Sequence, residues 1–229
     1  MKTIGLIGGM SWESTMTYYQ LINQTVKDHL GGLHSAKILL YSVDFFEIEQ
    51  HQSRGEWEDC ARIMTEAAIK LEQAGADFIV ICTNTMHKVV PQMEQALTIP
   101  ILHIARAAAH ALKEKNIKKA ALLGTKYTMT QEFYKKELEQ EGIEVLVPDS
   151  EDIERINRII FEELCLGVIS ENSKKEYLRI IDEMGKRGAE GVILGCTEIG
   201  LLIRQEDTTL PVFDTAIIHG KKAALAACK

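Results

Sequence analysis

Two short segments hold the residue types from which acid–base chemistry can be built. One is Ile81-Cys82-Thr83-Asn84-Thr85-Met86-His87, and the other is Gly195-Cys196-Thr197-Glu198-Ile199-Gly200. In each, a thiol or hydroxyl follows an apolar run and precedes small polar residues. Asn84, Thr85 and Thr197 are residue types that cap helix N-termini. A cysteine thiol has a pKa of about 8.5, lowered where a helix N-terminus faces it. It then acts as a base when ionised and as an acid once reprotonated. A threonine hydroxyl is far less acidic and serves as a donor or proton relay. Two such groups opposed over one small carboxylate ligand would take a proton from one face and return it to the other. The residues alone leave open whether Cys82 or Thr83 serves the first segment.

The elements that must position these residues are legible as alternating patterns. TIGLIG, KILLYSV, DFIVIC, KAALLG, IEVLV and GVILG are short, nearly continuous apolar runs, suited to strands buried on both faces of a parallel sheet. Between them, helical periodicity spans about 12–30, 57–74, 105–115, 129–141, 152–165 and 173–187, several stretches closed by glycine. The alternation predicts an α/β fold with mainly parallel sheets flanked by helices. In such sheets ligands bind beyond the carboxyl ends of the strands, where both segments fall. There, unpaired backbone N–H groups would favour a carboxylate.

The chain also repeats itself. KTIGLIGGMSWESTMTYY is similar to KKAALLGTKYTMTQEFY, DFIVICTNT to GVILGCTEI, and LTIPILHI to TTLPVFDT, in the same order and at near-equal spacing. The expectation is two pseudo-symmetric domains with the site in the cleft between them. The first comprises 1–102 with 212–229, the final helix returning to it, and the second comprises 103–211. Gly8-Gly9-Met10-Ser11 and Gly124-Thr125 then form equivalent turns after the first strand of each domain. They make two anion cradles to which Met10 and Thr125 belong.

The bulk composition narrows the function classes. The 229 residues are 46% hydrophobic and 26% charged, ordinary for a globular protein. The formal net charge of −7 demotes nucleic acid and anionic membrane as partners. The opening apolar run is short, broken by glycines and followed by SWEST, unlike a signal peptide or membrane span. Five cysteines without a CxxC pair suit reduced thiols in a cytoplasm and point to neither a disulfide framework nor a metal site.

At IGLIGGMSWEST, TNTMH, ALLGT, GCTEI and LPVFDT the sequence resembles the aspartate/glutamate racemase family from end to end. The resemblance implies two pseudo-symmetric α/β domains, a homodimer, and α-proton exchange on an amino acid without pyridoxal phosphate or another cofactor. A cysteine from each domain carries that exchange. Cys196 matches the second cysteine directly. The first family motif reads Cys-Asn-Thr-x-His. Aligned through Asn84, Thr85 and His87, its cysteine position holds Thr83, and Cys82 falls one residue early. Adjacent strand residues point to opposite faces, so Cys82 should face the core. The sequence thus resembles a Thr/Cys subgroup of bacterial racemases preferring L-aspartate and L-glutamate. The family places a substrate-holding basic residue where this chain reads Gln52-Ser53-Arg54, so Gln52 or Arg54 would bind a carboxylate. A lysine common in the family on the helix matching IIFEELCLG is replaced, with Cys165 standing there instead. His87 is expected to be a hydrogen-bonded structural residue.

The leading expectation is racemisation of L-aspartate or L-glutamate through Cys196 and Thr83. Two alternatives stand beside it: a one-cysteine decarboxylase or isomerase of a small diacid, and a non-catalytic binding protein for an acidic amino acid. A dinucleotide-binding enzyme is disfavoured, because IGLIGGMS supplies Gly-x-x-Gly-Gly in place of Gly-x-Gly-x-x-Gly.

Overall fold

The apolar runs become strands and the periodic stretches helices in the computed structural model, which describes residues 1–229. The chain divides into two compact units, Met1–Ile104 with His219–Lys229, and Ala105–Ile218. None of its helices is long and apolar enough to cross a membrane.

In the first unit β1 (Thr3–Gly8), β2 (Lys37–Ser42) and β3 (Phe78–Ile81) form a parallel sheet in the order β2-β1-β3. The central β1 is buried from Ile4 onward and β3 throughout, whereas the edge strand β2 is exposed or half-buried along its length. The helix Trp57–Gln73 turns Cys60, Met64, Ala67, Ala68 and Leu71 inward, one stripe at helical spacing. The helix Trp12–Leu30 buries Tyr18, Ile22 and Val26 and starts where Ser11 accepts a hydrogen bond from the Ser14 N–H. A buried aliphatic side chain contributes about 1.5–3 kcal/mol and a cap about 1 kcal/mol. The apolar face therefore decides where the helix lies, and the cap decides where it begins.

In the second unit β4 (Lys119–Gly124), β5 (Glu144–Leu146), β6 (Gly191–Gly195) and β7 (Val212–Asp214) form a parallel sheet ordered β5-β4-β6-β7. The helices Ser150–Glu162 and Glu171–Lys186 pack Ile153, Ile156, Ile160, Tyr177, Ile181 and Met184 into its core. The sequence places the return to the first domain at 212. In the structure β7 pairs with β6, and the return falls inside the last helix, Thr215–Ala227, at His219.

The repeat has a hydrogen-bond signature. In the first unit the Ile79 N–H donates to the Pro100 carbonyl at 2.9 Å, and in the second the Val192 N–H donates to the Pro211 carbonyl at 2.9 Å. Ile79 and Val192 are thus equivalent, and so, counting along each chain, are Cys82 and Gly195, and Thr83 and Cys196. The two units differ after that proline. The second continues as β7, while the first makes a single bridge, Ile79 to Ile101.

Two stretches depart from the sequence pattern. Residues 45–54, which the apolar runs and periodic stretches leave unassigned, form the helix Phe45–Arg54, capped by Asp44 and closed by Gly55 at φ 74°. Its composition is too polar for a clear stripe, and only Ile48 and Gln52 are buried. The expected helix 129–141 is two helices, Lys126–Thr130 and Glu132–Glu139, broken at Gln131, whose backbone is extended.

Candidate active-site residues

Cys196 is the first residue beyond β6 and is buried, with 8% of its surface exposed. Its Sγ donates to Glu198 Oε2 at 3.0 Å, and the Thr197 hydroxyl donates to the same oxygen at 2.9 Å. Glu198 is 2% exposed, so this carboxylate is held in the interior by the two residues before it. Burial pushes the Cys196 thiol well above its ordinary range, and the Glu198 charge beside it pushes the same way. The expectation of a thiol acidified by a helix N-terminus is therefore corrected. The helix that follows, Ile199–Leu202, is a single turn, and the N-cap position belongs to Glu198, not Thr197. At rest the site holds a thiol hydrogen-bonded to a carboxylate.

Gly124 and Gly195 are register partners, so Thr125 and Cys196 leave adjacent strands side by side. Thr125 caps the helix Lys126–Thr130, accepting from the Thr128 N–H at 3.3 Å. Cys165 lies in a 3-10 turn, Leu164–Leu166, packed against the core cluster that contains Cys196. The nearby Cys165 thiol also raises the Cys196 pKa.

In the first unit β3 ends at Ile81, and the Cys82 N–H extends the ladder by donating to the Ile7 carbonyl at 2.9 Å. Cys82 is fully buried, and burial alone drives its thiol far above the usual range, leaving an inert core residue. Thr83 is half-buried. Its carbonyl accepts from His87 Nδ1 at 2.8 Å, while His87 Nε2 accepts from the Ile104 N–H at 3.1 Å. Both ring nitrogens of His87 are thereby engaged in its neutral form, and burial depresses its pKa well below the ordinary value.

The remaining expected residues divide. Asn84 occupies the N-cap position of the 3-10 turn Thr85–Val89 but makes no side-chain cap bond, and Thr85 lies inside that turn. Both are buried. Gln52 is buried, and its amide donates to Met86 Sδ at 3.0 Å, bringing it against the TNTMH segment. Arg54 is exposed. Residues two apart on a helix point about 200° apart, so Arg54 faces away from the side that Gln52 buries. Met10 packs its side chain into the first unit's core. The neighbouring Gly9 N–H is already bonded to Thr15 Oγ1 at 2.8 Å, so the cradle expected at that turn is partly filled by the protein itself.

Glu198 is the functional candidate that sequence reasoning missed. Its one signal was a carboxylate two residues beyond a strand-end cysteine. A grouping with metal-ligand side chains, His51, Glu56 and Asp59, is only partly buried. It is engaged in ion pairs, His51 with Glu56 at 2.8 Å and Asp59 with Arg62 at 3.4 Å.

Residues 7–225 match the profile of the Asp/Glu/hydantoin racemase family. The broad-specificity amino-acid racemase RacX of Bacillus subtilis strain 168 is 24% identical over 227 residues, 95% of each chain. The crystal structure of a candidate Asp/Glu racemase from Yersinia pestis is 56% identical and superposes with a TM-score of 0.93 over the whole of both chains. An aspartate racemase homologue from Pyrococcus horikoshii OT3 is 40% identical, with a TM-score of 0.86, again over both full chains. The similarity extends through both units rather than resting on one motif, and the chain belongs to the Asp/Glu/hydantoin racemase family.

Proposed function

We propose that the protein racemises an acidic amino acid, L-aspartate or L-glutamate, without pyridoxal phosphate, using Cys196 and Thr83 on opposite faces of the substrate. The observation that carries this reading is the equivalence of Thr83 and Cys196, each following the matching strand of its unit, while Cys82 matches Gly195 and is buried. In the forward step the Cys196 proton passes to the Glu198 carboxylate, and the resulting thiolate takes the α-proton. The electron pair left on the α-carbon is stabilised by hydrogen-bond donors at the strand ends. Thr83, or a water held by it, delivers a proton to the other face and is reprotonated from solvent, while Glu198 gives its proton up to solvent and returns to the carboxylate. Gln52, Asn84, Thr85, Thr125 and Thr197 are assigned to substrate carboxylates, with Gln52 preferred over Arg54 because of its contact with Met86. The five free cysteines are consistent with a reducing cytoplasm, and the reading includes a homodimer.

The two bases are unequal, because a thiol is intrinsically a stronger acid than an alcohol and Cys196 has a proton acceptor beside it. Incubating L- and D-aspartate in deuterated water, while following deuterium uptake and optical rotation, tests this. The expected result is that L-aspartate exchanges its α-proton with retention faster than it inverts. Equal exchange and inversion rates from both enantiomers would remove the asymmetry, and no exchange from any acidic amino acid would remove the racemase reading.

A further inference from the structure

The chain leaves the first unit after Ile104 and re-enters it at His219, and a histidine grips the backbone at each point. His219 Nε2 donates to the Leu102 carbonyl at 2.7 Å, and His87 Nε2 accepts from the Ile104 N–H at 3.1 Å. The outer nitrogens are equally occupied. Tyr18 Oη lies 2.9 Å from His219 Nδ1, and His87 Nδ1 lies 2.8 Å from the Thr83 carbonyl. A carbonyl only accepts and a backbone N–H only donates, so the tautomers are fixed. His87 carries its hydrogen on Nδ1 and His219 on Nε2, which makes Tyr18 the donor to His219. Every bond then points one way, from Tyr18 through His219 to Leu102, and from Ile104 through His87 to Thr83.

The three rings are packed where water does not reach. Tyr18 and His219 are fully buried and His87 is 1% exposed. His87 lies edge-on to His103, with centroids 4.6 Å apart, and to His219 at 5.8 Å. Adding a proton to His87 Nε2 would cost its bond from the Ile104 N–H, with burial outweighing the support of the nearby Leu102 carbonyl, and adding one to His219 Nδ1 would set it against the Tyr18 hydroxyl.

We propose that His87 is a positioning residue for Thr83. Through its neutral Nδ1–H tautomer it fixes the Thr83 backbone, and with it the hydroxyl, to the Leu102–Ile104 segment that His219 anchors. The catalytic part of this inference rests on the proposed role of Thr83, whereas the relay itself stands on the hydrogen bonds. A backbone shift of about 1 Å at a reacting group lowers a rate on the order of a hundredfold. Loss of the bond to Thr83 therefore falls on inversion and spares proton exchange at Cys196.

The test compares two variants of the full-length protein with a spectrum of the wild type. Asparagine places an amide near the Nδ1 position and glutamine near Nε2, so His87→Asn keeps the donor to Thr83 and His87→Gln loses it. We expect His87→Gln to slow inversion tenfold or more, roughly the loss for partial misplacement, with exchange on L-aspartate little changed. His87→Asn retains most of the inversion rate. In 15N spectra of the wild type at pH 7, His87 shows the Nδ1–H tautomer and His219 the Nε2–H tautomer. Equal losses of exchange and inversion in both variants, no loss in either, or a His87 carrying its proton on Nε2 would overturn the inference. A Thr83→Ala control separates the two layers. Unchanged inversion there removes Thr83 from the proposed mechanism, while the nitrogen spectra still decide the relay.

Discussion

Cys196 and Glu198 share a hydrogen bond of 3.0 Å between Sγ and Oε2, in surroundings where both side chains are buried. This pairing replaces a field-acidified thiol with a thiol that has a proton acceptor built beside it. In the proposed mechanism Cys196 depends on Glu198 twice. The carboxylate raises the thiol pKa in the resting state, and it would be the group to which the thiol proton passes.

The first prediction therefore concerns Glu198→Gln. The amide preserves shape and hydrogen bonding but accepts no proton, so deuterium exchange on L-aspartate should fall by about 10²–10⁴-fold, the usual contribution of a positioned acid or base. Glu198→Asp keeps the chemistry at the wrong distance and should recover part of that loss. Exchange rates by mass spectrometry decide it, and a Glu198→Gln enzyme within threefold of wild type would make the carboxylate structural only.

A second prediction separates the cysteines. Cys196→Ser should abolish exchange, because an alcohol is a much weaker acid than a thiol. Cys82→Ala should leave exchange intact and cost about 1 kcal/mol of stability, the loss of roughly one buried methylene-sized group. Exchange assays with urea titrations measure both. An inactive but folded Cys82→Ala variant would put the catalytic position one residue earlier.

These pairings mark where the sequence was readable. The apolar runs and glycine-closed helices predicted the parallel sheets because burial on both faces leaves a continuous pattern, as in β3 and β6. The positional match of Thr83 with Cys196 was legible through the repeat. The Cys196–Glu198 bond was not, since it arises from a local fold-back in which Glu198 is helical at φ −83° and ψ −21°. Residue spacing holds no record of that turn. Acidification of Cys196 was expected for the same reason: GCTEIG reads as the start of a helix, and nothing in it announces that the helix lasts one turn. Gln52 was found as a type, but the helix that directs it toward Met86 is too polar to show a stripe.

Stability should fall on mild acidification. Burial holds His219 down to about 3 and His87 well below its ordinary value of 6.5. His103 and His219 face His87, while His103, Lys222 and Tyr18 face His219. The unfolded chain protonates both near pH 6.5, and the folded chain does so only far lower. The unfolded state therefore binds more protons as pH drops, and the stability present above pH 6.5 is progressively lost below it. Each histidine approaches a cost of about 1.4 kcal/mol per pH unit well below pH 6.5, so unfolding free energy should drop by about 3 kcal/mol between pH 6.5 and 5. Glu72, Glu190 and Asp207 have lowered pKa values and add their losses at more acid pH. Urea midpoints at pH 7 and pH 5 check this. A change under 1 kcal/mol would mean that the histidines gain protons without leaving their partners.

Gly124→Ala tests how tightly the strand ends set the site. A Cβ there would lie 2.7 Å from the Gly195 carbonyl oxygen, a backbone atom with no rotamer to escape into. The conflict must be relieved by moving the end of β4 or β6, and Cys196 is the next residue along β6. The sheet core below, at Leu122, Leu123, Ile193 and Leu194, is fully or almost fully buried and resists the shift, so the displacement concentrates at the strand ends. Overpacking of this kind costs about 1–3 kcal/mol. A displacement of about 1 Å at a reacting group costs on the order of a hundredfold in rate. Exchange at Cys196 should therefore fall by more than the unfolding free energy suggests. Parallel measurement of exchange rate and urea midpoint distinguishes the two effects. A variant that loses stability but exchanges at the wild-type rate would show that Cys196 is positioned by Glu198 and the following turn, independently of the strand.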